Sequence, residues 1–285
     1  MELSKADINT LSRFFRDDEK LKLAVKGKLK HYLDEYFDLQ HKGNAFVFTP
    51  QSKAKLRADL ESSYSRLNLR QGLPRGLDRL AVVNYINNDK LADIRPSEQY
   101  LLATAKHGRL TVLTKELEIP QGASLRLPIG LVDIGLLKTI IVIENMDVFD
   151  NWHLAKPPSE LDDALVLYRG HERTISSGLK ALLASLPNQV EVIMFPDLDP
   201  KGLENCFTTA KVRGILAPSV TDIQRQLIEH SQSSKFLEQG HAMSYLKKQE
   251  HGGWQVLISH ILENKLAIMQ QSIVALELPL VYFRR

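Results

Sequence analysis

Three short runs limit what this chain can become more than any other part of it. Residues 139–143 (TIIVI), 164–168 (ALVLY) and 190–195 (VEVIMF) are almost wholly apolar and rich in β-branched side chains. Runs this short, with no polar face, suit strands buried on both sides. Such strands need helices above and below them, the condition met by a parallel α/β sheet. The connecting segments agree. Residues 174–186 place Ile175, Leu179, Leu182, Leu183 and Leu186 at helical spacing. Residues 202–211 predict a second helix and 214–217 a fourth strand.

Each run ends in charge. The first leads into Glu144-Asn145-Met146-Asp147-Val148-Phe149. The second leads into Arg169-Gly170-His171-Glu172-Arg173, and the third into Asp197-Leu198-Asp199-Pro200-Lys201-Gly202. In extended chain, residues two apart point to the same side, so Asp197 and Asp199 aim at one place. Two carboxylates so placed repel unless a cation or a proton lies between them. Mg²⁺ commonly takes one or two carboxylates, with water and phosphate oxygens completing its shell. The competing reading is an acidic turn, because Asp, Pro and Gly all favour turns. Glu144 tips the balance. It puts a third carboxylate at a strand end, where open α/β sheets bind ligands. Asp147, Asp150, Asp162 and Asp163 read as surface or capping acids, with Asp147 the one able to join the others.

The remainder of the 285 residues suggests a two-domain protein. A net charge of +3 permits a nucleic-acid partner without demanding one. A single cysteine, Cys206, excludes an internal disulfide and a Cys-based zinc site, and suits a reducing cytoplasm. The first residues lack the pattern of a signal peptide, and no apolar run spans a bilayer. Residues 5–40 read as helical, with Leu11, Phe14, Phe15, Leu29, Tyr32, Leu33, Tyr36 and Phe37 in register. The lysines between 20 and 30 form either a solvated face or a phosphate-contacting one. A short strand is expected at 45–48 and a helix at 51–63, opened by Thr49-Pro50. Arg66, Arg70, Arg75 and Arg79 form a basic loop suited to bidentate phosphate contacts. A helix from Ser97 carrying Leu101 and Leu102, then short strands at 110–113, 125–127 and 131–134, complete a winged-helix-like module over 1–135. Residues 136–217 form the α/β core. Residues 218–285 read as a helical extension packed on it, with Trp254 and Met269 as core, and the tail from 278 as a terminal strand or docking segment.

The combination of Glu144-Asn145 with Asp197-Leu-Asp199-Pro200-Lys-Gly202 resembles the Toprim domain. Its Asp-x-Asp-Pro-x-Gly form is similar to that of type IIB topoisomerase A subunits and of the nuclease subunit of Wadjet and Mks plasmid-defence systems. Glu144 to Phe149 looks most like the latter, and Arg169-Gly170-His171 resembles the glycine turn both carry. The resemblance covers about residues 138 to 217. It implies an α/β fold in which a Toprim-like parallel sheet follows a mainly helical N-terminal module with a small β element. It implies Mg²⁺- or Mn²⁺-dependent cleavage of DNA, with Glu144, Asp197 and Asp199 as metal ligands. The catalytic candidates are these three with Lys201 and His171. The DNA-contact candidates are Arg169, Arg173, Arg70, Arg75 and Arg79. A homodimer, recruited by an SMC–kleisin complex rather than by a membrane, is the implied partner arrangement.

The chain departs from the pattern in places. Pro196 stands where glycine is common. Met269-Gln270-Gln271 stands where the Wadjet nucleases carry Glu-Gln-Glu, and this favours a second reading: a non-catalytic DNA-binding or assembly subunit. Topoisomerase-like cleavage needs a nucleophilic tyrosine, and Tyr32, Tyr36, Tyr64, Tyr85 and Tyr100 match no such context. A haloacid-dehalogenase-type phosphotransferase also uses Asp-x-Asp, but near the start of its fold and followed by Thr or Val.

Overall fold

The computed structural model describes residues 2–64, 66–94, 96–112, 115–170 and 176–285. The chain forms two compact units, Met1–Pro96 and Ser97–Arg285. In the first, Ser4 and Asp7 form a reciprocal capping box that starts α1 (Lys5–Arg16). There follow β1 (Lys22–Leu23), α2 (Gly27–Tyr36), β2 (Gln40–Lys42), β3 (Ala45–Val47) and α3 (Pro50–Ser63). Thr49 and Ser52 cap α3, with Pro50 in its first turn as expected. The three small strands pair antiparallel in the order β1–β3–β2. Ile8, Leu11, Phe14, Leu29, Leu33 and Phe46 form the unit's core. The helix expected through residues 17–26 is absent. Lys20-Leu-Lys22-Leu23 alternates with period two, which is a strand signal, and Gly27, the first residue of α2, takes a φ of +61°. One further helical turn, α4 (Arg79–Val82), is capped by Asp78.

The second unit begins with the single turn α5 (Pro96–Gln99), which passes directly into β4 (Tyr100–Thr104). A free-standing hairpin, β5 (Arg109–Val112) and β6 (Lys115–Glu118), precedes β7 (Leu125–Pro128). The α/β core is β8 (Thr139–Ile143), α6 (Met146–Asp150), β9 (Leu165–Tyr168), α7 (Ser176–Ser185), β10 (Glu191–Phe195), α8 (Pro200–Thr208) and β11 (Val212–Pro218). Short helices follow: α9 (Val220–Asp222), α10 (Ser233–Leu237), α11 (Gly240–Leu246), α12 (Gln255–Glu263) and α13 (Gln270–Ala275). The last strand is β12 (Leu280–Arg284). Seven strands make one sheet in the order β12–β11–β10–β8–β9–β4–β7. The middle four are parallel, as their apolar sequences require, while β12 and β4 run antiparallel to them at the flanks and β7, antiparallel to β4, runs in the core direction.

Three expectations change here. The division falls near residue 96 rather than 135, because β4 and β7 bury Leu101, Ala103 and Leu127 against the core. The helix predicted from Ser97 stops after one turn, since Leu101 and Ala103 alternate toward the sheet. Residues 131–134 form no strand, only the end of a 3₁₀ turn at Ile129–Leu131. The strands assigned to a wing at 110–134 therefore separate into a hairpin and a sheet edge. The tail from 278 forms the terminal strand that its sequence offered, β12, held where Trp254 Nε1 donates to the Phe283 carbonyl at 2.9 Å. Trp254 is buried, as its place in an apolar stripe suggested. Among the described residues no helix is long and apolar enough to cross a membrane.

Candidate functional site

Register decides what meets at the sheet's carboxyl end. Ile143 of β8 pairs with both Phe195 of β10 and Tyr168 of β9, so the three strands finish level. Glu144, Arg169 and Pro196 therefore leave adjacent strands side by side. Gly170, with φ +85°, turns the chain after β9 in a conformation that favours glycine. After Glu144, the Asn145 side chain accepts from the Val148 amide and starts α6.

The Asp197–Gly202 stretch is a strand-to-helix turn in which each motif residue has a physical task. Leu198 is fully buried and exchanges backbone hydrogen bonds with Ile268 at 2.8 and 3.1 Å. Asp199 caps α8, its Oδ1 accepting from the Gly202 amide at 2.7 Å. Pro200 occupies the first helical turn, where a missing N–H costs nothing. Gly202 packs on the main chain: a Cβ there would lie 2.2 Å from the Asp197 carbonyl oxygen. The glycine is thus required by a close approach, not by an unusual φ.

The carboxylates are unequally served. Glu144 Oε1 pairs with Arg169 and accepts from Asn205 Nδ2 at 2.8 Å. Its Oε2 is buried with no hydrogen-bond partner among the described residues. Asp197 Oδ1 accepts from the Gln270 amide at 2.9 Å. Asp199 Oδ2 accepts from Gln239 Nε2 at 2.9 Å. The Lys235 ammonium stands 3.7 Å from Asp197 Oδ2 and 3.4 Å from Asp199 Oδ2. Burial pushes the Glu144 pKa above the ordinary carboxylate value; Asp197 and Asp199 add to this and Arg169 opposes it. Burial likewise raises Asp197, with the Asp199 charge adding and the Gln270 amide and Lys235 opposing. These are acids whose ionised form is held at a cost.

Of the residues predicted from sequence, Glu144, Asp197, Asp199 and Arg169 meet at this end of the sheet. Lys201 does not: its ammonium is exposed and pairs with Glu204 at 2.6 Å. His171 and Arg173 lie outside the described residues. In the first unit, Arg70 pairs with Asp18 at 2.5 Å and Arg79 with Asp89 at 3.5 Å, while Arg75 is exposed. Asp147 is a surface acid in the first turn of α6. Met269, expected in the core, is half-buried, and its sulfur accepts from Lys235 at 2.8 Å.

Three participants, Asn205, Lys235 and Gln239, had not been singled out. Asn205 sits on the inward face of α8. Lys235 and Gln239 reach in from α10 and the turn after it. Gln270 is fully buried and makes three contacts here: its side-chain Nε2 donates to the Phe195 carbonyl at 2.6 Å, its Oε1 accepts from the Asn145 amide at 3.3 Å, and its backbone N–H donates to Asp197 Oδ1 at 2.9 Å. The glutamine noted as a departure therefore braces the ends of β8 and β10 against each other.

Among the described residues no group of three or more His, Cys, Asp or Glu side chains stands converged to hold a metal. The donors nonetheless fit a hard divalent cation. They are all oxygens, their charges raise one another's proton affinity, and Glu144 contributes a buried oxygen with no partner. Between the two aspartates, a lysine ammonium supplies the positive charge.

Residues 98–282 match the model of the family described as "Domain of unknown function (DUF7281)", and the chain belongs to that family. The match begins and ends close to the limits of the second unit. No curated protein matches the chain.

Proposed function

We propose that this DUF7281-family member is a divalent-metal-dependent DNA nuclease of the Toprim kind, brought to its substrate by an SMC–kleisin-type complex in defence against plasmid or foreign DNA. One observation carries the reading: three carboxylates issue from the level ends of two adjacent parallel strands, and the buried Oε2 of Glu144 is left without a partner. Glu144, Asp197 and Asp199 would hold Mg²⁺ or Mn²⁺, which when bound polarises a phosphodiester and stabilises the leaving oxygen. Glu144, with its raised proton affinity, is suited to take a proton from an attacking water. Arg169 offsets the Glu144 charge and engages Oε1 of its carboxylate. The first unit, whose order α–β–α–β–β–α places a β2–β3 hairpin with exposed His41 and Lys42 before its last long helix, serves as the DNA- or partner-contacting module in the manner of a winged helix.

The test is plasmid cleavage with Mg²⁺ or Mn²⁺, alone and with an SMC–kleisin-type complex. Cleavage by wild type and none by Asp197→Ala or Glu144→Gln is expected. No cleavage under any of these conditions sinks the proposal. A second reading, a non-catalytic DNA-binding or assembly subunit, is favoured by Asp199, both of whose oxygens are already engaged as cap and amide acceptor. That reading expects DNA binding that EDTA leaves unchanged.

A further inference from the structure

We infer that Lys235 is a tethered competitor for the divalent cation: its ammonium holds the Asp197–Asp199 pair in a metal-free state and must leave when the metal enters. The inference rests on the proposed nuclease reading and adds a means of control to that site. Lys235 comes from α10, outside the strand–helix core, yet its ammonium lies within 4 Å of one oxygen on each aspartate. That is where a shared cation would neutralise both, and two cations cannot share it: like charges a few ångströms apart repel by several kcal/mol at the effective dielectric of such a site.

The grip on the lysine is loose. Its distances to both carboxylates exceed those of a charge-assisted hydrogen bond, and its short contact is to the Met269 sulfur, a weak acceptor. The side chain is about one-third exposed, so it has a route to water. Its helix has five residues and is preceded by irregular π and 3₁₀ turns over Ile223–His230, so α10 is not braced by a long helix on that side. Asp197 and Asp199 keep their other partners, the Gln270 and Gly202 amides, when the ammonium departs. The pair therefore stays in place while its cation is exchanged.

Two measurements on the full-length protein test this. Calorimetric titration with Mn²⁺ compares wild type with Lys235→Gln and Lys235→Arg. Lys235→Gln should bind at least about tenfold more tightly, and Lys235→Arg should not. Amine-reactive labelling read by mass spectrometry then follows Lys235 in the wild type. It should be protected without metal, and its labelling should rise severalfold with saturating Mn²⁺. Binding that is equal in wild type and Lys235→Gln, or labelling that saturating metal does not change, overturns the inference and leaves the nuclease reading standing. Absence of Mn²⁺ binding in both proteins overturns the two together. Circular dichroism of each variant establishes that a changed affinity does not come from misfolding.

Discussion

Strand β10 carries acid at both of its ends, and the two ends treat it differently. Glu191, at the start, is answered by its neighbours: its Oε1 accepts from the Tyr282 hydroxyl at 2.5 Å and from Arg284 at 2.9 Å, both on the edge strand β12. The Tyr282 ring lies over Gly214 of β11, where a Cβ would fall 1.8 Å from a ring carbon. Glycine, tyrosine and glutamate thus interlock to fasten the last strand. Past the other end of β10, Asp197 has a raised pKa, and on the next strand Glu144 keeps an oxygen with no partner. An acid that serves the fold is surrounded by donors. Glu144 is instead buried near other acids, with one oxygen that finds no donor among the described residues. The two ends of one strand show both solutions in the same sheet.

The contrast can be broken in order of expected effect. Asp197→Ala should lower metal-dependent plasmid cleavage by at least about 100-fold, whereas Glu191→Gln should leave the cleavage rate within about twofold. A nicking time course distinguishes them, and equal losses would erase the distinction. Gly202→Ala should come next. The new methyl meets main chain, not a side chain that can swing away, so a loss of about 2–3 kcal/mol in urea unfolding is expected. Tyr282→Phe removes a hydrogen bond to Glu191 and should cost about 1 kcal/mol, with Mn²⁺ affinity unaltered by calorimetry.

The smallest effect has the opposite sign. Burial raises the Glu144 pKa, so in the folded protein its ionisation is unfavourable relative to the unfolded chain. The contribution of this group to stability is full below its unfolded pKa and is lost as pH rises through its folded one. Glu144→Gln should therefore stabilise the EDTA-treated protein at neutral pH by about 1 kcal/mol. The gain should vanish in acid, where the wild-type carboxyl is itself neutral. Melting curves at several pH values read this directly, and a Glu144→Gln protein that melts lower at neutral pH would count against a site held at a cost.

The same contrast marks what was legible in the sequence. Strands β8, β9 and β10 could be read because both their faces are buried, and uniform apolar runs are hard to mistake. The turn at Asp197–Gly202 could be read because each residue type answers a local backbone demand. The flanking strands could not. Leu101 and Leu102 sit together after a Ser97-Glu98 start, which imitates a helix, and it is pairing with β7 on one side and with Leu167 and Val166 of β9 on the other that makes this segment a strand. The site's outer partners were less legible still. Lys235 and Gln239 are polar residues in a polar stretch, and nothing in their surroundings announces that α10 and α11 fold back over the acids. Gln270 was noticed only as a missing acid, whereas its amide and side chain are what hold the two strand ends.

Gln270 also sets a timetable. It lies 73 residues beyond the aspartate it contacts. A ribosome making this chain therefore releases the acidic turn well before the helix that steadies it. Until α13 emerges, Asp197 lacks the backbone donor that fixes its carboxylate, and β8 and β10 lack the brace between their ends. The acidic turn and the brace that fixes it are therefore made apart and joined only when the chain folds back on itself.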